Sequence, residues 1–228
     1  MITSVLTLPT PYYDKDGITI YCADCRSILP FLEPVDLVLT DPPYGIGADN
    51  PRGNTGKNKH ILQRTYPSTN WDSVRGDVAA INHARQVSQD QVIWGGNYFA
   101  DVLPASGAWF VWDKDNGENR YADCEMAWTS RDAAARLFRW KWHGFLQEPG
   151  AEKEDRQHPT QKPLKLMTWC LSFFPKAETI LDPFMGSGTT LVAAKLLGKK
   201  AIGIEISEEY CRIAVERLAQ GVMDFAGN

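Results

Sequence analysis

Short apolar, β-rich runs recur along the chain: "GITIYCAD", "VDLVLTD", "QVIWGG", "GAWFVWDK", "ARLFRWKW", "TILDPF" and "KAIGIEI". Each is the length of a strand and is bounded by turn residues. Helical spacing separates some of them. "TTLVAAKLLG" places apolar residues on one helix face and stops at Gly198, a residue suited to closing a helix. "SEEYCRIAVERLAQG" opens with Ser207 as a cap and two acids in its first turn, carries Tyr210, Ile213, Ala214 and Leu218 on one stripe, and stops at Gly221. "KPLKLMTWCLSFF" fits a helix with Pro163 at its first position. Strands alternating with helices predict one doubly wound α/β domain over 1–228, with a mostly parallel sheet covered on both faces.

Composition narrows the class. With 43% apolar and 23% charged residues among 228, the chain has the make-up of a soluble globular domain. No apolar run approaches a membrane span, and "MITSVLTLPTP" lacks the basic start and long apolar stretch of a signal peptide. Five cysteines in such a chain predict reduced thiols and a cytoplasmic location. "CADC" has metal-like spacing, but no second Cys/Cys or Cys/His pair completes a tetrahedral site, so no metal is expected. A net charge of −4 excludes a global basic field. Residues 45–75 and 143–161 resist periodic reading; the first holds Arg52, Lys57, Lys59, Arg64 and Arg75 against Asp49 and Asp72, a locally basic stretch in an acidic chain.

Two strand ends carry chemistry. In "LTDPPYGIG" an apolar run stops at Asp41, then Pro42, Pro43 and Tyr44. Two prolines end a strand and stiffen the adjoining backbone, which holds an acid and a ring at the strand's tip. In "TILDPFMGSGTTLVAAK" a strand runs into Asp182, a Gly-x-Gly turn at Gly186 and Gly188, and a helix opening at Thr189. Such a corner lets a ligand approach backbone and offers free N–H groups to negative charge. A P-loop needs a lysine after the second glycine, and Thr189 stands there instead. The next strand ends in Glu205, placed for ribose hydroxyls, while Asp182 can pair with an ammonium group. A ligand with carboxylate, ammonium and ribose fits, such as S-adenosylmethionine.

Together these segments resemble the β-class amino-group DNA methyltransferases. "DPPY" (Asp41 to Tyr44) is similar to their catalytic motif, "DPFMGSGTT" (Asp182 to Thr190) to their cofactor motif, and "HPTQKP" (His158 to Pro163) to the segment closing over the methionine end. "GIEISEEYCRIAVERL" is similar to the strand and helix after the cofactor motif. The resemblance implies a Rossmann-like, circularly permuted methyltransferase sheet, in which the N-terminal "GITIYCAD" supplies the strand beyond the Glu205 strand. Asp24 at its tip and the backbone N–H of Cys25 would then meet the cofactor's adenine. His158, Thr160, Lys162, Asp182, Phe184, Gly186, Ser187, Gly188, Thr189 and Glu205 complete the implied cofactor set, the product being S-adenosylhomocysteine.

The implied reaction is methyl transfer to an exocyclic amino group. Asp41 and the carbonyl of Pro42 would accept the amine's hydrogen bonds, and Tyr44 would stack on a base flipped out of double-stranded DNA. Asp41 favours adenine N6 over cytosine N4, because serine in that position is commoner among cytosine-specific relatives. Glutamine N-methylation in proteins is a more distant reading, opposed by Asp41 where those relatives have Asn; a non-catalytic DNA-binding relative is opposed by the intact motifs. Arg52, Lys57, Lys59 and Arg64 are the expected DNA contacts, and 45–75 with about 115–157 the expected target-recognition loops. So little sequence for target reading predicts a short site, a homodimer sharing the task, and either a solitary enzyme or the partner of a separate restriction endonuclease.

Overall fold

The strands form because β-branched and aliphatic residues run in blocks that a sheet covered on both sides can bury throughout. The structure is a computed structural model that describes residues 8–47, 72–117, 122–143, 146–147 and 161–220. In chain order the described elements are β1 (Tyr13–Lys15), β2 (Ile18–Cys22), α1 (Cys25–Ile28), β3 (Val35–Thr40), α2 (Val78–Gln86), β4 (Ser88–Trp94), β5 (Trp109–Asp113) and β6 (Cys124–Thr129). Then come β7 (Arg136–Arg139), β8 (Trp142–His143), β9 (Leu146–Gln147), α3 (Leu164–Ser172), β10 (Thr179–Asp182), α4 (Thr189–Leu196), β11 (Lys200–Glu205) and α5 (Glu208–Gln220). Short 3-10 turns lie at Leu29–Phe31 and Gly96–Phe99.

Among the described residues, nine strands make one sheet in the order β1-β2-β11-β10-β3-β4-β6-β5-β7, and β8 pairs with β9 apart from it. From β2 to β4 the pairing is parallel throughout. The N-terminal β2 lies beside the C-terminal β11, with Ile20 opposite Gly203 and Cys22 opposite Glu205. That is the permuted, Rossmann-like arrangement expected from the sequence.

Alternate residues of each strand face opposite layers. Leu37 and Leu39 of β3 and Ile180 of β10 pack with α3, α4 and α5 through Leu166, Met167, Ala193, Ala194 and Leu218. Val38, Leu181 and Ile204 point the other way, onto Ile28, Ala80 and Ala84 of α1 and α2. Helix α2 buries a face of small and aliphatic residues, Ala80, Ile81 and Ala84, and its start is fixed by Asp77, whose carboxylate accepts from Ala79 N and Ala80 N. One boundary differs by a single residue: Pro163 caps α3 and Leu164 begins it.

The stretch about 115–157, expected as a target-recognition loop, holds sheet strands. β6 is inserted between β4 and β5, antiparallel to both, and β7 pairs with β5. The mixed polar and apolar run "CEMAWT" hides β6 because only its C-terminal half is buried. Among the described residues, no helix is long and apolar enough to cross a membrane.

Candidate active site

All five parallel strands end on one edge, and there a cavity of about 610 Å³ opens. It is lined by Asp24 and Cys25 after β2, Glu205 of β11, Asp182 and the glycine turn after β10, Asp41 after β3, and Lys162 ahead of α3. Asp41 and Gly186 therefore face one space, as the sequence motifs require.

One half of the rim is built from backbone. Gly188 sits at φ +79°, and a Cβ there would lie 2.8 Å from that of Ala214, so only glycine lets the turn press against α5. A Cβ at Gly186, by contrast, would meet nothing within 4 Å. That open side of the turn is the cradle expected for a ligand's polar end. Glu205 accepts Gly186 N–H at 3.1 Å and Ser207 N–H at 2.8 Å, which fixes its carboxylate at the cavity wall with lone pairs to spare for hydroxyl donors. From α5, Arg217 donates to Ser187 O at 2.7 Å and to Thr189 Oγ1 at 2.9 Å, tying the turn to the helix. Asp182 is buried and receives Thr40 Oγ1–H at 2.7 Å and Phe184 N–H at 3.1 Å. Burial outweighs those bonds and raises its pKa to about 6.

The other half is built from side chains distant in sequence. Tyr44 Oη donates to Asp41 Oδ1 at 2.5 Å, and Lys162 Nζ donates to Asp41 Oδ2 at 2.6 Å. Lys162 also lies 3.2 Å from Tyr44 Oη and 2.9 Å from Glu125 Oε2 of β6. Glu125 in turn pairs with Lys114 at 2.5 Å. Burial pushes the Asp41 carboxyl above the usual range; the Lys162 ammonium opposes that and the Glu125 charge adds to it. Burial would also raise Glu125, but its two ammonium partners win and bring it down to about 2. The loop itself is clamped by Asp72, 1% exposed, which accepts Tyr44 N–H at 2.7 Å and Gly45 N–H at 2.8 Å. Gly76 N–H donates to Pro43 O at 2.8 Å and fixes the proline pair from its other end.

The family model described as DNA methylase, N6_N4_Mtase, matches residues 106–216. Over that stretch the chain is similar to the amino-group DNA methylases. Type II methyltransferase M2.LlaDCHI of Lactococcus lactis subsp. cremoris is 28% identical over 254 residues, covering 92% of this chain and 93% of that protein. Orphan methyltransferase M.BamHII of Bacillus amyloliquefaciens is 45% identical over 80 residues, 35% of this chain and 30% of that one. Among solved structures, the M1.HpyAVI–SAM complex superposes with a TM-score of 0.54 at 27% identity, over 88% of this chain and 99% of that chain. The cytosine-N4-specific PvuII DNA methyltransferase gives 0.56 at 15% identity, over 93% of this chain and 88% of that one, a likeness of fold alone.

The predicted residues distribute unevenly. Asp24, Cys25, Asp41, Lys162, Asp182, Phe184, Gly186, Ser187, Thr189 and Glu205 line the cavity together. Gly188 shapes its wall from behind, and Pro42 is buried beneath the loop. His158, Thr160, Arg52, Lys57, Lys59 and Arg64 lie outside the described residues. Asp24 spends its carboxylate on Arg26, at 2.5 Å, and on capping α1 through Arg26 N–H. Burial first, then the Asp24 and Asp77 charges, pushes the Cys25 thiol up to about 12, so it stays protonated. Lys162, a member of the implied cofactor set, stands in the cavity wall with its ammonium on Asp41.

Tyr44 is not free on every side either. A Cβ on Gly95 would fall 2.0 Å from Tyr44 Cε1, and Tyr98 stacks on the ring at 4.9 Å and 18°. Two charges counted in the basic loop turn out to be structural: Asp72 holds the backbone at Tyr44, and Arg75 pairs with Asp101 at 2.7 Å. Sequence reading missed Asp72, Glu125 and α2. Lys114, at the end of the "GAWFVWDK" run, joins the site by pairing with Glu125.

Proposed function

We propose that this protein transfers a methyl group from S-adenosylmethionine to the exocyclic N6 of adenine in double-stranded DNA. One observation carries the reading: the acceptor carboxylate of Asp41 and the Gly186–Glu205 cradle share a single cavity of about 610 Å³, ample for an aminoacyl nucleoside. When bound, the cofactor supplies a methyl group already activated on a sulfonium sulfur. The chain's residues do the rest. Glu205 meets ribose hydroxyls, Asp182 in its ionised form pairs with the ammonium, and the open side of Gly186 admits the backbone contact.

On the other side, an aromatic amine is a weak nucleophile because its lone pair is delocalised into the ring. Hydrogen bonds from its N–H groups to Asp41 and to the Pro42 carbonyl favour the pyramidal form, and the clamp from Asp72 leaves little reorganisation for the transition state. A base seated on the stacked face of Tyr44 would take the place of Tyr98, which is 39% exposed. Base–aromatic stacking of roughly 1–3 kcal/mol then offsets part of the unstacking. Asp41 in the first motif position supports adenine over cytosine.

The deciding experiment incubates the purified protein with isotopically labelled S-adenosylmethionine and mixed-sequence duplex DNA, then identifies modified nucleosides by mass spectrometry. Label in N6-methyladenine is the expected result. Label in N4-methylcytosine alone overturns the adenine assignment, and no labelled nucleoside at all overturns DNA as substrate.

A further inference from the structure

Four charged side chains from four elements make an unbroken row of alternating sign. Asp41 at the tip of β3 meets Lys162 at 2.6 Å, Lys162 meets Glu125 of β6 at 2.9 Å, and Glu125 meets Lys114 after β5 at 2.5 Å. The Lys162 side chain is only 5% exposed and lies over the rings of Tyr44 and Trp94, at 5.5 and 5.8 Å from their centroids. Burying an ammonium is costly unless it is paired on more than one side, and an apolar wall would form the cavity with less penalty. Asp41 alone would neutralise Lys162. The second pair, Glu125 with Lys114, leaves the sum of charges unchanged and alters only where the Lys162 ammonium is held.

We propose that Glu125 is a positioning residue for methyl transfer, holding the Lys162 ammonium between two carboxylates so that Asp41 keeps lone pairs open to the amine. The inference rests on the reading of Asp41 as the amine's acceptor. Every charged or titratable group facing Asp41 enters: Tyr44 and Lys162 in contact, Glu125 across Lys162, Asp182 on the adjacent strand, Lys114 behind Glu125, and Tyr98 against Tyr44. Without Glu125, Lys162 would belong wholly to Asp41, which would bind its proton less readily and offer the amine a more heavily engaged carboxylate. Without Lys162, burial and Glu125 would act on Asp41 unopposed, and it would be protonated at higher pH. Methyl transfer also moves one positive charge from sulfur to the amine nitrogen. A row that sums to zero accepts this charge, whereas the row lacking Glu125 carries an extra positive charge beside it.

The test tracks the Asp41 side-chain carboxyl by NMR in the full chain labelled at aspartate carboxyls, assigned with Asp41→Asn. Relative to wild type, the titration midpoint should move down in Glu125→Gln and up in Lys162→Met, each by about one pH unit. The acid limb of kcat should move in the same two directions, with kcat in Glu125→Gln reduced on the order of tenfold to a hundredfold, KM for the cofactor unchanged, and partial recovery in Glu125→Asp. Should Lys162→Met fail to fold, Lys114→Met serves: Lys162 is then drawn toward Glu125, and the Asp41 midpoint should rise by a smaller amount. Midpoints that stay put, or move in the same direction in both variants, overturn the proposal. If wild type moves no methyl group to DNA, the proposed function fails, while the NMR midpoints still judge the row on their own.

Discussion

The two halves of the cavity rim are made by different means. On the cofactor side, Gly186, Ser187, Gly188, Thr189 and Glu205 lie within 20 residues of one another, and the contacts that hold them are mostly to backbone groups. On the catalytic side, Asp41 is held by Lys162, 121 positions away, and Lys162 by Glu125 on a third element. The first half is a local motif that a strand and a helix complete by themselves. The second comes into being only when β3, β6 and the segment before α3 are assembled. Substitutions in the two halves should therefore separate cofactor binding from methyl transfer.

The largest separation is expected from Asp41→Ala. Removing the amine's acceptor should lower kcat by about three orders of magnitude, the scale set by deleting a preorganised transition-state partner. Cofactor affinity, measured by calorimetry, should change less than about threefold, because no ligand of the glycine turn is touched. Equal losses in both would show that the rim does not divide in this way. Next in size is Asp72→Ala, which strips the acceptor from the buried N–H groups of Tyr44 and Gly45. Each such orphan costs roughly 1–3 kcal/mol, so the loop should loosen and kcat fall on the order of tenfold to a hundredfold. Asp72→Asn keeps an oxygen where both bonds end and should stay near wild type. If Asn is as damaging as Ala, the charge of Asp72 matters and the clamp does not.

That same division decides how much the sequence could disclose. The apolar blocks of β2, β3, β4, β10 and β11, buried on both faces, are readable as strands, and the glycine turn and Glu205 emerge from spacing alone. The place of β2 beside β11 comes from the family resemblance, not from periodicity. Strand β6 stays hidden because its N-terminal half is polar, and that polarity is Glu125 itself, recruited to hold Lys162. Asp72 looks like one charge in a basic loop; nothing local distinguishes a solvated aspartate from one 1% exposed beneath a proline turn. Lys162 is visible in the sequence but its pair with Asp41 is not, since that partner is fixed by the meeting of three elements and not by its neighbours in "HPTQKP".

Gly188→Ala probes the cofactor half. A residue with a Cβ at φ +79° is strained, and its methyl would press on Ala214 at 2.8 Å. Together these cost about 1–2 kcal/mol. The turn should shift away from α5, weakening cofactor binding about tenfold while kcat at saturating cofactor holds. A fall in kcat with normal affinity would place the turn in the transfer step instead.

The smallest effect is the most diagnostic of the local physics. Asp182 is 2% exposed, and its folded pKa of about 6 stands above the ordinary 3.8. A carboxyl raised in this way binds its proton more tightly in the folded state than in the unfolded one. Its stabilising contribution is complete below 3.8 and is lost as pH rises through about 6. The full difference corresponds to roughly 3 kcal/mol, from about two pH units at 1.36 kcal/mol each. Asp182→Asn does not titrate, and its amide oxygen can still accept from Thr40 Oγ1 and Phe184 N. Set against the amide's weaker hydrogen bonds, a net gain of about 1 kcal/mol at neutral pH remains. The melting temperature of Asp182→Asn should thus lie below wild type near about pH 4 and exceed it by a few degrees near about pH 7, with the two curves crossing between those values. The gain should be accompanied by weaker cofactor binding, because the ammonium loses its ionised partner. A gap that is constant with pH, or that opens in wild type's favour, would mean that the folded protein does not raise the pKa of Asp182. The cofactor half would then hold a charge as strongly as the catalytic half does, and the contrast between them would reduce to sequence distance alone.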